Sequence, residues 1–224
     1  MKRAKKEIIL GTVLIGIFAV WTVLVSLVDV RAIGPENSSV GFATVNRVLH
    51  GITGVNFTLY TITDWLGLVP FAVAFGFAML GLVQWVKRGR LFSVDQSLLA
   101  LGVFYLAVIL VYILFEIIAV NYRPVLINGR LEASYPSSTT VLVCCVIPTA
   151  LMQITPRITG KRAKVIININ SYSFVAFTVV GRILSGVHWI TDIIGGGVLS
   201  AGLVIIYHGY ITCFKNGTLP GSYR

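Results

Sequence analysis

Long apolar runs separated by short polar segments dominate this 224-residue chain. A helix crossing a hydrocarbon layer of about 30 Å needs about 20 residues at about 1.5 Å each. Six candidate spans can be read, the fourth of them short of that length: Ile8–Val28, Trp65–Val86, Ser97–Val120, Thr139–Ile154, Val165–Leu184 and Ile190–Phe214. The segment from Asp29 to Asp64 is too polar at its edges for another span. Its middle, Val40 to Leu59, has apolar residues at helical spacing beside Arg47 and His50, which predicts an amphipathic helix on the membrane surface. The expectation is an all-α integral membrane protein: a bundle of six transmembrane helices plus that surface helix, forming one domain over residues 1–224.

Composition agrees, with 56% hydrophobic and 12% charged residues, too little charge to cover a water-soluble domain of this length. The net charge of +10 raises nucleic acid as a partner, but the positions of the charges exclude it. They cluster between the spans: Lys2, Arg3, Lys5 and Lys6; then Lys87, Arg88 and Arg90; then Arg157, Lys161, Arg162 and Lys164. With the N-terminus inside, the inner segments hold 13 of the 18 basic residues, Lys215 and Arg224 among them. Both ends are then cytoplasmic, and Arg31, Arg47, Arg123, Arg130 and Arg182 are the outer exceptions. The first run is long enough to span and lacks a small-residue cleavage site, so it reads as a retained helix. Cys144, Cys145 and Cys213 sit in apolar surroundings without metal or disulfide spacing. Gly195, Gly196, Gly197, Ser200, Ala201 and Gly202 make the last span small-sided, which suits close helix packing.

Three polar groups remain at the outer ends of spans: Glu116 with Arg123-Pro124; Tyr135-Pro136-Ser137-Ser138-Thr139-Thr140; and Arg182, His188 and Asp192. Each suits phosphate. Guanidinium groups grip phosphate oxygens through parallel donors. Pro136 with Ser137, Ser138 and Thr139 forms a helix start, whose amides and dipole favour an anion. His188 and Asp192 are four apart, so a helical turn lets the carboxylate fix one imidazole tautomer while the other nitrogen meets a substrate. Taken singly, these groups also read as an interfacial anchor, an ordinary helix cap and a structural pair. Their convergence on one membrane face favours a site.

These residues resemble the type 2 phosphatidic acid phosphatase superfamily, whose motifs run K-x6-R-P, P-S-G-H and S-R-x5-H-x3-D. Arg123-Pro124 matches the end of the first, Pro136-Ser137 the start of the second, and the string GRILSGVHWITD the third in spacing. The resemblance extends from about the second span to the sixth. It implies a six-helix core with an outward-facing site. By the same resemblance His188 is the nucleophile, Asp192 its orienting acid, and Arg123 and Arg182 phosphate-binding residues, with Ser137, Ser138 and Thr139 beside them. No metal or other cofactor is implied, and the expected substrate is a membrane lipid phosphate in the bilayer. A compact chain of this kind suits a bacterial plasma membrane.

Three positions depart from the pattern: Glu116 stands for the first-motif lysine, Thr139 for the second-motif histidine and Gly181 for the serine before Arg182. The missing histidine is the family's general acid, and losing such a group slows a reaction about 10²–10⁴-fold. Glu116 has two readings: a protonated acid that binds phosphate or donates a proton, or a carboxylate paired with Arg123 or Arg182. Release of phosphate from a pyrophosphate needs less acid help than release of an alkoxide. The expected activity is therefore lipid (pyro)phosphate hydrolysis through a phosphohistidine, a polyprenyl pyrophosphate being the favoured substrate. The alternative is an impaired homologue that binds or transports lipid phosphates. His208 is expected as an interior packing residue and His50 as an outer-surface residue near the mouth of the site.

Overall fold

The computed structural model describes residues 2–215, so Arg224 lies outside the described residues. The first helix, α1 (Lys2–Leu27), is followed by a two-residue hairpin in which β1 (Arg31–Ala32) pairs antiparallel with β2 (Ser39–Val40). Helix α2 (Ala43–Thr53) is short, and α3 (Phe57–Leu66) with α4 (Leu68–Arg88) makes one bent span. Then come α5 (Gln96–Ile117), α6 (Ser138–Ile154), α7 (Lys161–Leu184) and α8 (Ile190–Lys215). Among the described residues, six helical segments are long and apolar enough to cross a membrane, as the hydrophobic pattern predicts. The fold is an all-α integral membrane bundle.

Local chemistry sets the boundaries. Asn56 caps α3, its side-chain oxygen accepting from the Leu59 amide at 2.9 Å. Pro70 supplies no N–H to the turn before it, and the segment bends at Gly67. Gly89, at φ 70°, ends α4 after Lys87 and Arg88, cations that favour a helix C-terminus. The second span begins at Phe57, not Trp65, so the amphipathic segment expected over Val40 to Leu59 divides in two. Its first part is α2, and the rest leads into the membrane. The third span stops at Ile117 rather than Val120, because Ile118 leaves helical geometry and the chain turns into the loop carrying Asn121 and Arg123.

Lipid-facing and protein-facing surfaces separate clearly. Phe75, Val103, Leu110 and Ile117 stand exposed, as hydrocarbon rather than water requires. Helix α6 is the buried centre, packed against α4, α5, α7 and α8. Helices α1 and α8 lie together through small residues. A Cβ on Gly11 would come 2.7 Å from the Gly202 carbonyl oxygen, and one on Gly209 would come 2.8 Å from Ile8. The small-sided stretch of α8 does pack closely at Gly195, under the Tyr135 ring, and at Gly196 and Gly202. Gly197 instead faces open space. His208 departs from its expected interior role: it is partly exposed, and its Nδ1 meets Glu7 Oε2 at 2.8 Å across the α1–α8 contact.

Candidate phosphate site

The C-terminal ends of α1, α5 and α7 and the N-terminal ends of α3, α6 and α8 meet at one end of the bundle. The three basic clusters lie at the other end. At the first end a cavity of about 390 Å³ is lined by Glu116, Arg123, Arg130, Glu132, Ser138 and His188, with apolar walls from α5 and α6.

His188 stands in the tight turn between α7 and α8, made possible by Gly186 at φ 63°. The ring is 4% exposed, and its Nε2 lies 3.1 Å from Arg123 Nη1. A guanidinium only donates, so Nε2 is the accepting nitrogen and the ring proton sits on Nδ1. Nδ1 points toward Asp192, 3.8 Å from Oδ2, an approach longer than a hydrogen bond. Burial, then the cations Arg123 and Arg182, hold the His188 pKa well below its ordinary value, which favours the neutral ring whose Nε2 lone pair accepts from Arg123. Asp192 is fixed in turn: Oδ2 accepts from the Trp189 amide at 3.0 Å, and Oδ1 accepts from Asn121 Nδ2 at 3.3 Å.

Arg123 is held by Val187 and by Glu132, whose Oε2 lies 3.1 Å from its Nε. Arg182 is 1% exposed. Its Nη2 donates to Asp64 Oδ1 at 2.9 Å and to the Thr139 hydroxyl, and its plane lies over the Tyr60 ring. The Nε and Nη1 atoms of Arg182 are buried without a hydrogen-bond partner, a demand that an anion's oxygens would meet.

The predicted residues thus assemble in two layers. Glu116, Arg123, Ser138 and His188 line the cavity. Ser137, Thr139, Arg182 and Asp192 stand behind them, and the Ser137 amide donates to the Asp192 carbonyl at 3.1 Å. Glu116 is exposed on the cavity wall. The two arginines take their carboxylates from elsewhere, Arg123 from Glu132 and Arg182 from Asp64, so Glu116 pairs with neither. Thr139 is occupied by Arg182 instead of facing the cavity. Gly181, where serine was expected, has a cause: a Cβ there would lie 2.5 Å from the Thr63 side chain. His50 lines a separate small cavity rather than the mouth of the larger one. Asp64, Glu132, Asn121 and Tyr60 carry no motif signal, and only the folded chain reveals their roles.

No family model matches this chain, and no curated protein does. Among solved structures the chain is similar to a transmembrane phosphatidylglycerolphosphate phosphatase of the PAP2 type from Bacillus subtilis, with a TM-score of 0.61 at 17% identity. The match covers 90% of this chain and 96% of that one. The two share a fold, and the six-helix core implied by the three motifs is the one observed.

Proposed function

We propose that this chain is a multi-pass membrane phosphohydrolase that acts on a lipid phosphate or pyrophosphate at the extracytoplasmic face of the plasma membrane. One observation carries the reading: a buried His188 lines a cavity, with Arg123 3.1 Å from its Nε2 and Asp192 behind. That constellation suits an in-line nucleophile with a cation ready for the phosphoryl oxygens.

In this mechanism Nε2 attacks phosphorus, and the bond from phosphorus to the leaving oxygen breaks. Arg123 moves its donors from the imidazole to the phosphoryl oxygens. Asp192 stabilises the positive ring that results. Water then attacks phosphorus, the P–N bond breaks, and orthophosphate leaves with the ring restored. From a pyrophosphate the leaving group is a lipid monophosphate, which needs no proton. From a monophosphate the leaving alkoxide must take one, and Glu116 is the acid available on the cavity wall. A lipid pyrophosphate, such as a polyprenyl pyrophosphate, is therefore the preferred substrate over a monophosphate.

Phosphate release from a panel of lipid mono- and pyrophosphates tests this reading. Wild type should favour the pyrophosphates, and His188→Ala should lose at least about 10³-fold. Undiminished turnover by His188→Ala would refute it. The engagement of Thr139 by Arg182, and of both arginines by carboxylates, favours a second reading: a protein that binds or carries lipid phosphates without turnover. Tight binding with no release from any lipid would select it.

A further inference from the structure

Helix α2 has two dissimilar faces. Val45, Val48, Leu49 and Ile52, spaced as one helical stripe, are all exposed. The opposite face carries Asn46, 1% exposed, and His50. Both polar residues hold the segment that bears the candidate nucleophile. His50 Nε2 lies 3.0 Å from the Gly186 carbonyl oxygen, two residues before His188, and its ring packs on Trp189 with centroids 5.4 Å apart. A carbonyl only accepts, so Nε2 is the donor. Asn46 donates to the Thr191 hydroxyl at 3.0 Å and to the Gly41 carbonyl at 2.8 Å.

The residues after α2 extend the grip. The Asn56 amide donates to the Ser185 carbonyl at 3.0 Å, and Gly186 packs so closely that a Cβ would strike the Gly54 carbonyl oxygen. On its other side the same turn is held by Arg123, through Val187, and by the Trp189 indole, which donates to the Tyr122 carbonyl at 2.7 Å. His50 and His188 also line a common cavity of about 20 Å³, roughly the room of one water molecule.

We propose that α2 is a positioning element whose apolar stripe seats in the lipid of the adjacent leaflet and whose His50 and Asn46 thereby fix the turn that aims His188. Lipid is the occupant because α2 joins two membrane spans and its stripe matches an in-plane amphipathic helix. His50 acts through the Gly186 carbonyl and not on substrate. Its effect on turnover rests on the phosphohydrolase reading, whereas its effect on the turn does not.

The experiment is amide hydrogen exchange on the full chain in anionic phospholipid nanodiscs, with lipid phosphate hydrolysis measured in parallel. His50→Phe keeps the ring against Trp189 but lacks the donor, and His50→Gln restores an N–H. A Val48→Glu, Ile52→Glu double variant puts charge on the stripe. We expect His50→Phe and the double variant to speed exchange across residues 185–192 about tenfold or more, with α6 and α8 still protected and His50→Gln close to wild type. If hydrolysis is present, kcat should fall about tenfold with KM nearly constant, since small misplacement of a reacting group is enough. Unchanged exchange in the turn, or loosening spread evenly through the bundle, would overturn the proposal. Normal exchange changes without hydrolysis in any variant would leave it standing and remove the enzymatic reading instead.

Discussion

At the scale of single residues, burial comes first and the cations second in setting the behaviour of His188. Burial and two nearby guanidiniums keep His188 neutral where an ordinary histidine, at about 6.5, would begin to charge. The unfolded chain then binds a proton that the folded chain resists, so stability falls as pH drops through about 6.5. Thermal melting in detergent should show that loss between about pH 6.5 and 5, and His188→Gln should flatten it. The acid limb of kcat/KM should correspondingly lie below the value of a free imidazole. The motif residues were legible because their spacing survives in sequence: Arg123, Arg182, His188 and Asp192 all come to one end of the bundle. Their counter-charges were not. Asp64 is 118 positions from Arg182, and neither its residue type nor its neighbours announce the pairing. Glu132 met Arg123 for the same unannounced reason, which leaves the ion-paired one of the two readings of Glu116 without its partner.

At the scale of elements, hydropathy located every span and misjudged only their ends. Apolar periodicity responds to lipid, which is uniform along a helix, whereas ends depend on caps and bends. Thus Asn56 caps α3, which starts eight residues before the apolar run at Trp65, and the helix is interrupted at Gly67, three residues before Pro70. The surface helix was visible as an amphipathic pattern, but its grip on the His188 turn was not, since it rests on backbone carbonyls. That turn has one position with no tolerance. Gly186→Ala would combine an unfavourable positive φ with a collision against the Gly54 carbonyl, a loss of about 2 kcal/mol or more. A lower melting temperature and weakened phosphate binding should appear together. A stable variant with intact binding would show that the turn has other ways to fold.

At the scale of the whole molecule, the charge bias and the fold make one prediction. The basic clusters at Lys2–Lys6, Lys87–Arg90 and Arg157–Lys164 share one end of the bundle, and the His188 cavity occupies the other. Reporter fusions should place residues after Gly89 and Gly160 in the cytoplasm and those near Gly129 outside. A reporter at Gly129 that reads as cytoplasmic would invert the site's sidedness and remove an extracytoplasmic substrate.

The close fit of α1 against α8 has a consequence for how the chain is made. Helix α1 is made long before α8, and the glycines of each are shaped for the other. Trp21 and Thr22 of α1 also reach Thr191 and Tyr135, next to the candidate nucleophile's turn. During synthesis α1 must therefore wait in the bilayer without its partner face until α8 arrives. The candidate site is completed only when α8 joins, so chains ended before α8 should insert and yet lack the His188–Asp192 pair.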